Sequence, residues 1–295
     1  MKVSIIGGGA IGLLVAYYLK INKKEPVIYT RSAEQAEALG KSGLTYINVE
    51  GLPYNVKVEA KPIEEFSGRE SYCIITVKQT AIKDLQWLGD HKEISCLFLQ
   101  NGISHLSFID NMPHKQVSIG VVEHGAVKEN HTTVHHLGVG RIKLSSYRGN
   151  AHFEWKSLLN SNSSLVKIEE VWETMVYEKL VMNACINPLT AILRVTNGEL
   201  LSNNYAFSIM KKLYDETISA LNLIDRREAL WKELLILCRN TSLNRSSMLK
   251  SVESGQQTEI DSITGEIIKR AITLKIDTPY SRFVYEAVKA LDRRG

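Results

Sequence analysis

The amino-acid sequence predicts an α/β protein with an N-terminal Rossmann-type domain, residues 1–168, and an all-α C-terminal domain, residues 169–295. Three observations support this prediction. A glycine-rich turn separates a short strand from a helix at the start of the chain, and uncharged, β-rich runs recur as far as residue 168. Beyond Val171 the strand pattern stops, and apolar residues recur at the 3.6-residue period of helices. We therefore expect a mostly parallel sheet followed by helices.

The composition is typical of a globular protein and argues against nucleic acid and membranes as partners. Of the 295 residues, 44% are hydrophobic and 23% are charged, and the length suggests about two domains. The net charge of +4 comes without a basic block, so we expect neither nucleic acid nor a membrane as partner. The apolar runs are too short for a membrane span, and three glycines interrupt the first of them, so we expect no signal peptide. Four scattered cysteines suit reduced thiols in the cytoplasm.

The glycine-rich turn has the spacing of a dinucleotide-binding motif. A predicted strand, Lys2–Ile6, leads directly into G-x-G-x-x-G, and a predicted helix, Leu13–Ile21, and strand, Val27–Tyr29, follow. In this context the glycines allow a tight turn, close approach of the backbone to a pyrophosphate, and close packing of helix on strand. The alternative is a glycine-rich turn without a ligand. The predicted cofactor contacts in the turn are Gly7, Gly8, Gly9, Ala10, Ile11 and Gly12.

Arg31 indicates which dinucleotide binds. The second strand is followed by Arg31 and Ser32, where an NAD site usually places an acidic residue against the ribose 2′-hydroxyl. Arginine instead suits a 2′-phosphate. Glu25 precedes the strand and Glu34 lies in the next helix, so neither replaces the missing acid. We predict NADPH as the cofactor; the alternative for Arg31 is a solvated residue at the start of a helix.

Polar or small residues follow three further predicted strands of uncharged, β-rich sequence. Because open α/β sheets bind ligands at the carboxyl ends of their strands, these residues are candidates for a binding cleft. The alternative is ordinary loop chemistry. The pairs of strand and candidate are Tyr72–Val77 with Lys78, Ile94–Leu99 with Asn101, and Val117–Val122 with Ala126.

Two other patterns belong to the first domain. Leu44–Val49 and Tyr54–Glu59 are predicted to form a hairpin. His131, His135 and His136 cluster in a run typical of strands around a glycine turn. A metal site would need two or three histidines on one face with a carboxylate, so we predict no metal site.

The C-terminal half begins with an unusual predicted helix, Glu178–Leu193. Lys179, Asn183 and Asn187 are spaced by four and share one narrow stripe of this helix, while the residues between them are apolar. A buried helix that carries an ammonium and two amides needs polar partners, which a ligand can provide. The alternative is a core helix whose polar stripe meets solvent. Pro188 predicts a kink or a restart of the helix, with Asn187 as N-cap.

Further helices are predicted along the rest of the chain. Because the helix that carries Lys179 lies near the junction of the two domains, and ligand sites favour such junctions, we expect the active site there. The other predicted helices are Glu199–Leu223, Arg226–Asn240, Ser247–Glu253, Glu259–Thr273 and Arg282–Leu291.

Taken together, these motifs resemble those of the ketopantoate reductase (2-dehydropantoate 2-reductase) family. The most specific is the run Lys179-x3-Asn183-x3-Asn187-Pro188-Leu189-Thr190-Ala191. It is followed by Asn197-Gly198-Glu199-Leu200, Ser246-Ser247-Met248 and Thr258-Glu259-Ile260-Asp261. The resemblance runs through the whole chain in the same order.

The resemblance implies an NADP-dependent oxidoreductase that reduces 2-dehydropantoate to pantoate in pantothenate and coenzyme A biosynthesis. It implies that Lys179 donates the proton and that Glu259 lies near Lys179 and the cofactor. A positioned ammonium suits this reaction, since it stabilises the developing alkoxide and then protonates it. The implied NADPH contacts are the glycine turn, Arg31, Lys78, Asn101, Ala126 and Glu259. The implied substrate contacts are Asn101, Lys179, Asn183, Asn187, Asn197, Asn244 and Ser247.

The sequence departs from the family pattern at three places. Ala81 stands where a glutamine is common, with Gln79 nearby. Ser251 and Gln256 stand where an aspartate and an arginine are frequent, and Glu123 replaces an uncharged residue. The second departure concerns the surroundings of Glu259.

Two other functions fit the same motifs. One is an NADPH-dependent reductase of another 2-keto acid on the same scaffold, because the side chains that line the pocket decide the substrate. The other is a module that senses NADPH without turning it over, against which the complete set of polar residues argues. The sequence leaves the oligomeric state open, with a homodimer among the candidates.

Overall fold

The chain forms two compact units in the computed structural model, which describes residues 1–159 and 165–292. The first unit comprises residues 1–100 and 105–175. The second comprises residues 101–104 and the chain from Val176 onward. The division therefore falls inside a helix, between Met175 and Val176, and a second short segment of the chain belongs to the helical unit.

The first unit contains all the strands of the described chain and four α-helices. The strands are β1 Lys2–Ile6, β2 Glu25–Thr30, β3 Leu44–Ile47, β4 Pro53–Val56, β5 Glu59–Pro62, β6 Tyr72–Ile75, β7 Ser95–Phe98, β8 Val117–Val122, β9 Gly125–Lys128, β10 Thr133–Gly138, β11 Ile142–Arg148 and β12 Val166–Ile168. The helices are α1 Ala10–Ile21, α2 Ala33–Ser42, α3 Leu106–Asp110 and α4 His152–Leu159, with 3₁₀ segments at Ile63–Glu65 and Gln79–His91.

The larger sheet confirms the predicted α/β class. Among the described residues it contains eight strands in the order β12-β11-β8-β7-β6-β1-β2-β5, and every neighbouring pair is parallel except β11 with β8. The chain leaves β1 towards β2 on one side and later returns to β6 on the other. This reversal of strand order at β1 is the topological switch point at which open α/β sheets bind ligands.

The smaller sheet, in the order β4-β3-β10-β9, contains the predicted hairpin and one strand that the sequence did not predict. The hairpin is confirmed, since β3 and β4 pair antiparallel, but it ends at Val56. Glu59 instead begins β5, which pairs parallel with β2 and satisfies the backbone of what would otherwise be an edge strand. Ala126, predicted in a loop, lies in β9 opposite His136 of β10.

All regular elements of the second unit's described residues are helices, as predicted. Its helices are α5 Trp172–Leu193 (whose first turn belongs to the first unit), α6 Glu199–Ser202, α7 Asn204–Ala220, α8 Arg227–Asn240, α9 Ser247–Glu253, α10 Thr264–Leu274 and α11 Pro279–Asp292. The 3₁₀ turns are Ile224–Arg226 and Ile260–Ser262. In the described parts of the chain, no helix is long and apolar enough to cross a membrane.

Two predicted helices differ from the observed ones. The helix predicted over Glu199–Leu223 is two helices, because the side chain of Asn203 accepts from the amides of Tyr205 and Ala206 and so caps a new helix, α7. The helix predicted from Glu259 begins at Thr264, after a 3₁₀ turn. Glu259 therefore stands on a turn and not on a regular helix.

The predicted restart of the helix at Pro188, with Asn187 as N-cap, is wrong, while the kink stays a prediction. Helix α5 runs without interruption from Trp172 to Leu193 with Pro188 inside it, so Asn187 is an interior residue and not an N-cap. Pro188 cannot donate to the carbonyl of Ala184, but this helix is packed on nearly all sides. Tertiary packing of its apolar residues outweighs the loss of one hydrogen bond.

The three clustered histidines have separate partners. His135 pairs with Glu129, His131 lies 3.6 Å from Glu34, and His136 joins a buried chain of side chains. Over the described ranges, no group of three or more histidine, cysteine or acidic side chains could hold a metal ion.

The buried chain runs from Tyr46 through His136 to His124. The Tyr46 hydroxyl is 2.8 Å from Nδ1 of His136, and Nε2 of His136 is 3.0 Å from Nδ1 of His124, which also accepts from the amide of Gly140. Nδ1 of His124 therefore acts as an acceptor, and a proton added to it would point at two donor groups, Nε2 of His136 and the amide of Gly140. Burial first, then His136, lowers the pKa of His124 to about 4.

We expect the protein to lose stability in mild acid through His124. The unfolded chain binds this proton near its ordinary pKa of 6.5, whereas the folded protein excludes it until about pH 4. The contribution of His124 to the free energy of unfolding is therefore fully present above pH 6.5 and decreases as the pH drops towards 4. At pH 5 about 2 kcal/mol of it should be lost. Urea unfolding of the protein and of His124→Gln at pH 7.5 and pH 5 measures this. Between pH 7.5 and pH 5, His124→Gln should lose about 2 kcal/mol less unfolding free energy than the parent. His131→Gln changes an exposed histidine and should lose as much as the parent. Equal losses in all three proteins would refute the assignment to His124.

Candidate active site

The glycine turn after β1 has the backbone geometry that a diphosphate site requires. Gly7 has φ +117°, which side-chain-bearing residues rarely adopt. A Cβ on Gly12 would lie 1.9 Å from the carbonyl oxygen of Gly7, so only glycine lets α1 pack this closely on the turn. No atom lies within 4 Å of the position that a Cβ on Gly9 would take, so a ligand can approach the backbone there.

Two side chains that the sequence analysis missed hold this turn. The Thr76 hydroxyl, just after β6, donates to the carbonyl oxygen of Gly7 at 2.9 Å. The amide of Gln35 in α2 donates to the carbonyl oxygen of Gly8 at 2.8 Å. These bonds satisfy carbonyl groups of the turn. The first amides of α1 have no acceptor within the helix, so they remain for an anion. Thr76 lies inside the predicted strand Tyr72–Val77, whereas the observed strand β6 ends at Ile75, so the sequence contained no signal for this role.

Arg31 lies where the second ribose of a dinucleotide is expected. It is exposed directly after β2, and the hydroxyl of Ser32 caps α2 by accepting from the amide of Gln35 at 3.2 Å. Glu34, the acid in the first turn of α2, is 3.6 Å from His131. No carboxylate among the described residues forms an ion pair with Arg31.

The three predicted cleft residues, Lys78, Asn101 and Ala126, are divided between the two units. Lys78 is exposed between β6 and the 3₁₀ segment that follows, and Ala126 is half-buried in β9; both belong to the first unit. Asn101 belongs to the second unit, where its amide nitrogen lies 3.5 Å from a carboxylate oxygen of Glu259. The structure thus brings together two residues that are 158 positions apart in the chain.

The segment 101–104 is fixed on the turn that carries Glu259. Gly102 has φ +77°, and a Cβ there would lie 2.3 Å from the carbonyl oxygen of Ser262. The amide of Ile103 donates to the same oxygen at 3.2 Å, and the Ser104 hydroxyl donates to Glu266 at 2.9 Å. These contacts hold Asn101 beside Glu259.

The polar stripe of α5 has the predicted character. Lys179 and Asn183 are half-buried and Asn187 is 7% exposed, while the apolar residues between them are buried. Neither side-chain amide of Asn183 or Asn187 makes a hydrogen bond within the described part of the chain. Both amides are therefore available to a ligand. This is unusual, because most buried polar side chains have a hydrogen-bond partner within the protein.

An ion pair and a hydrogen bond anchor the turn of α5 that precedes Lys179. Glu178 pairs with Arg226, and the Tyr177 hydroxyl accepts from Arg270, whose guanidinium centre also lies 4.6 Å from the Tyr177 ring centre. All four residues belong to the second unit. This bracing limits rotation of the helix that carries Lys179, as a residue in a reactive role requires.

A chain of hydroxyl groups connects the far end of the stripe to Ser247. The amide of Leu249 donates to the hydroxyl of Ser246 at 3.0 Å, which lies 2.7 Å from the Thr190 hydroxyl. The Thr190 hydroxyl in turn donates to the carbonyl oxygen of Ile186 at 2.9 Å. Ser246 caps α9 in this way and ties the start of α9 to α5, so that Ser247 is the exposed first residue of α9. A serine directly before a predicted helix was a readable signal for this cap.

Asn197 and Asn244 are also brought together. The amide of Asn197 donates to the carbonyl oxygen of Asn244 at 3.0 Å, and its side-chain nitrogen donates to the Thr241 hydroxyl at 2.9 Å. The side-chain oxygen of Asn197 is buried and has no partner among the described residues. Asn244 itself is exposed.

The residues at which the sequence departs from the family pattern make the following contacts in the structure. Gln79 does not replace the missing glutamine at Ala81, because its buried amide lies 2.7 Å from His105. Ser251 and Gln256 are neighbours, since the amide of Gln256 donates to the carbonyl oxygen of Ser251 at 2.8 Å, so these two departures lie side by side in the structure. Glu123 forms an ion pair with Lys143 at 2.8 Å across β8 and β11.

Comparison with known proteins covers the whole chain. A family model described as ketopantoate reductase PanE/ApbA matches residues 3–149, and the corresponding C-terminal model matches residues 171–292. The chain is 36% identical to the 2-dehydropantoate 2-reductase of Bacillus subtilis, over 99% of this chain and 98% of that protein.

Solved structures agree with these matches. The crystal structure of the probable 2-dehydropantoate 2-reductase from Bacillus subtilis superposes with a TM-score of 0.86, covering 99% of this chain and 100% of that one. The dimeric ketopantoate reductase from Staphylococcus aureus, 21% identical, has the same fold, with a TM-score of 0.80 over 100% of this chain and 99% of that one. Fold, motifs and sequence identity agree: the chain belongs to the ketopantoate reductase family.

Proposed function

We propose that the protein reduces 2-dehydropantoate to pantoate with NADPH, and that Lys179 donates the proton. The observation that carries this proposal is the polar stripe of α5, where an ammonium and two amides lie on an otherwise buried helix. The two amides have no partner in the described chain, so a ligand with several polar oxygens suits them. Membership of the family supports the substrate.

The residues of the first unit fit NADPH. The open backbone at Gly9 and the free amides at the start of α1 suit its diphosphate. Arg31 suits the 2′-phosphate, and we assign Lys78 and Ala126 to the same cofactor. NADPH, when bound, supplies the hydride.

Lys179 supplies the other half of the reaction. A ketone carbon that gains a hydride leaves negative charge on its oxygen, and a nearby ammonium stabilises that charge and transfers its proton to it. The product is an alcohol, and Lys179 is left as a neutral amine that takes its next proton from solvent. Glu259, held beside Asn101, is assigned to orient Lys179 and the cofactor.

The remaining polar residues of the second unit are assigned to the substrate. Asn183 and Asn187 would bind its hydroxyl and ketone oxygens, while Asn197, Asn244 and Ser247 would bind the carboxylate. Hydrogen bonds to a charged carboxylate are worth about 1.5–3 kcal/mol each, enough to select an anionic 2-keto acid. The hydroxyl chain from Thr190 to Ser246 would hold Ser247 for this contact.

The direct test is the oxidation of NADPH, followed at 340 nm, with 2-dehydropantoate and with other 2-keto acids such as pyruvate and phenylglyoxylate. We expect kcat/KM for 2-dehydropantoate to exceed the others by at least about 100-fold, because a site built to hydrogen-bond a substrate hydroxyl rejects analogues that lack it. A higher kcat/KM for another 2-keto acid would assign the protein to that substrate. NADPH binding without turnover of any of them would instead indicate a sensing module.

We further propose that the enzyme acts in the cytoplasm as a homodimer. All four cysteines are buried and unpaired, which suits a reducing compartment. The dimeric relative from Staphylococcus aureus supports the oligomeric state. Size-exclusion chromatography with light scattering measures the oligomeric state.

Arg31 should determine the preference for NADPH over NADH. Removing the guanidinium in Arg31→Ala should weaken NADPH binding about 10- to 150-fold, the worth of one charge-assisted contact, and leave NADH binding unchanged. Titration calorimetry with each cofactor measures this. Arg69→Ala, at another exposed arginine of the same unit, is the matched control and should bind both cofactors like the parent. Equal affinity of the parent for NADPH and NADH would contradict the assignment.

A further inference from the structure

A second cation lies close to Arg31 on a different element. Lys128 is the last residue of β9, and its side chain is exposed. Burial of part of this side chain, and then the positive charge of Arg31, lower the pKa of Lys128. The distances agree with this, since Nε2 of His131, three residues after Lys128, lies 3.6 Å from a carboxylate oxygen of Glu34, three residues after Arg31.

The hairpin that carries Lys128 is attached to the nucleotide turn. Gln35, which holds the carbonyl oxygen of Gly8 at 2.8 Å, also donates to the carbonyl oxygen of His131 at 3.0 Å. His131 lies in the loop between β9 and β10. A single buried amide thus links this loop, the glycine turn and the start of α2, the three elements around the expected position of the adenosine ribose.

The hairpin loop is well defined by its own hydrogen bonds. The side-chain oxygen of Asn130 accepts from the amides of Thr132 and Thr133, both at 2.9 Å. The amide of Glu129 donates to the carbonyl oxygen of Thr133 at 3.0 Å, which closes the loop beside Lys128. Lys128 therefore projects from a fixed backbone and not from a disordered loop.

No ion pair within the described residues neutralises either cation. Of the nearest acids along the chain, Glu129 pairs with His135 and Glu34 lies 3.6 Å from His131. Among the described residues, no carboxylate forms an ion pair with Arg31 or Lys128. Two neighbouring cations without a counter-ion favour an anion that binds both, and a doubly charged phosphate monoester suits the pair better than a diphosphate oxygen does.

We propose that Lys128 is a second determinant of cofactor specificity, which binds the adenosine 2′-phosphate of NADPH together with Arg31. This inference rests on the proposed use of NADPH and extends it to a residue outside the βαβ unit. It places half of the 2′-phosphate site on the small sheet.

Calorimetric titration of the full-length protein with NADPH, NADH, 2′,5′-ADP and 5′-AMP tests the inference. Lys128→Ala should weaken NADPH and 2′,5′-ADP about 5- to 20-fold and should leave NADH and 5′-AMP unchanged. The loss should be smaller than in Arg31→Ala, because a guanidinium can bind a phosphate through two parallel hydrogen bonds and an ammonium cannot. Lys128→Arg should retain most of the affinity. Lys115→Ala, at an exposed lysine elsewhere in the first unit, is the matched control and should bind all four ligands like the parent.

Two outcomes would overturn the inference. One is unchanged binding of NADPH and 2′,5′-ADP by Lys128→Ala; the other is an equal loss for NADH, which would place Lys128 at the diphosphate. Failure of the proposed function gives a different result. A protein that binds NADPH in a Lys128-dependent way but reduces no 2-keto acid would retain this inference and lose the catalytic proposal, whereas a parent that binds neither NADPH nor 2′,5′-ADP would refute both.

Discussion

Lys179→Ala is expected to lower the turnover number by about 10²–10⁴, the usual contribution of a positioned proton donor. Affinity for NADPH should change little, because the glycine turn and Arg31 belong to the other unit. Stability should also change little, since Lys179 is only half-buried, and the neighbouring turn is braced by the pairs of Glu178 with Arg226 and of Tyr177 with Arg270. Steady-state kinetics, cofactor titration and thermal unfolding measure the three quantities separately.

Two further variants sharpen the test of Lys179. Lys179→Met keeps most of the apolar volume and should lose as much turnover as the alanine variant, which separates chemistry from packing. Lys232→Ala removes an exposed lysine from α8 in the same unit and should leave turnover unchanged. A folded Lys179→Ala protein whose turnover stays within a few-fold of the parent would make this helix an ordinary part of the core.

Elements with strong periodicity were predictable from the sequence. Strands such as Val117–Val122 are uncharged and bounded by polar residues, and the helices of the second unit repeat their apolar residues at a regular period. The short strand β9 was not predictable. It has four residues, among them a glycine and a lysine, and exists because its backbone pairs with β10.

The continuity of α5 through Pro188 shows where local rules fail. Proline in a helix interior costs about 3 kcal/mol in isolation, so the sequence rule predicts a kink or a restart, and the helix does not restart. Here Leu180, Val181 and Cys185 are almost completely buried, and several such side chains contribute about 1.5–3 kcal/mol each. The packing of the unit therefore determines the helix, and this information is not local.

The candidate site divides in the same way. Lys179, Asn183 and Asn187 were predictable because they lie on one helix at a fixed spacing. The approach of Asn101 to Glu259 depends on long-range packing and on the positive φ of Gly102, so only the resemblance to a family suggested that both residues serve one site. The link of Gln35 to both Gly8 and His131 had no sequence signal at all.

The glycine turn permits a pair of variants that separates stability from binding. In Gly12→Ala the added methyl would lie 1.9 Å from the carbonyl oxygen of Gly7 and 2.7 Å from the Thr76 hydroxyl, so the backbone must move. We expect a loss of at least about 2 kcal/mol of unfolding free energy and a melting temperature lower by about 4–8 °C. NADPH binding should fail as well, because α1 no longer packs on the turn.

In Gly9→Ala the added methyl meets no atom within 4 Å, so the protein without ligand should lose less than about 1 kcal/mol, mainly because alanine caps α1 less well than glycine. The methyl would, however, occupy the space through which a diphosphate approaches the backbone, and NADPH and NADH should both bind about 10- to 150-fold more weakly, the worth of one lost charge-assisted hydrogen bond. Gly40→Ala, at an open position in the last turn of α2, is the matched control: it should be slightly more stable than the parent and bind both cofactors normally. Chemical denaturation and calorimetric titration of the three variants measure both quantities. Unchanged cofactor affinity in Gly9→Ala would show that the open side of this turn does not face the diphosphate.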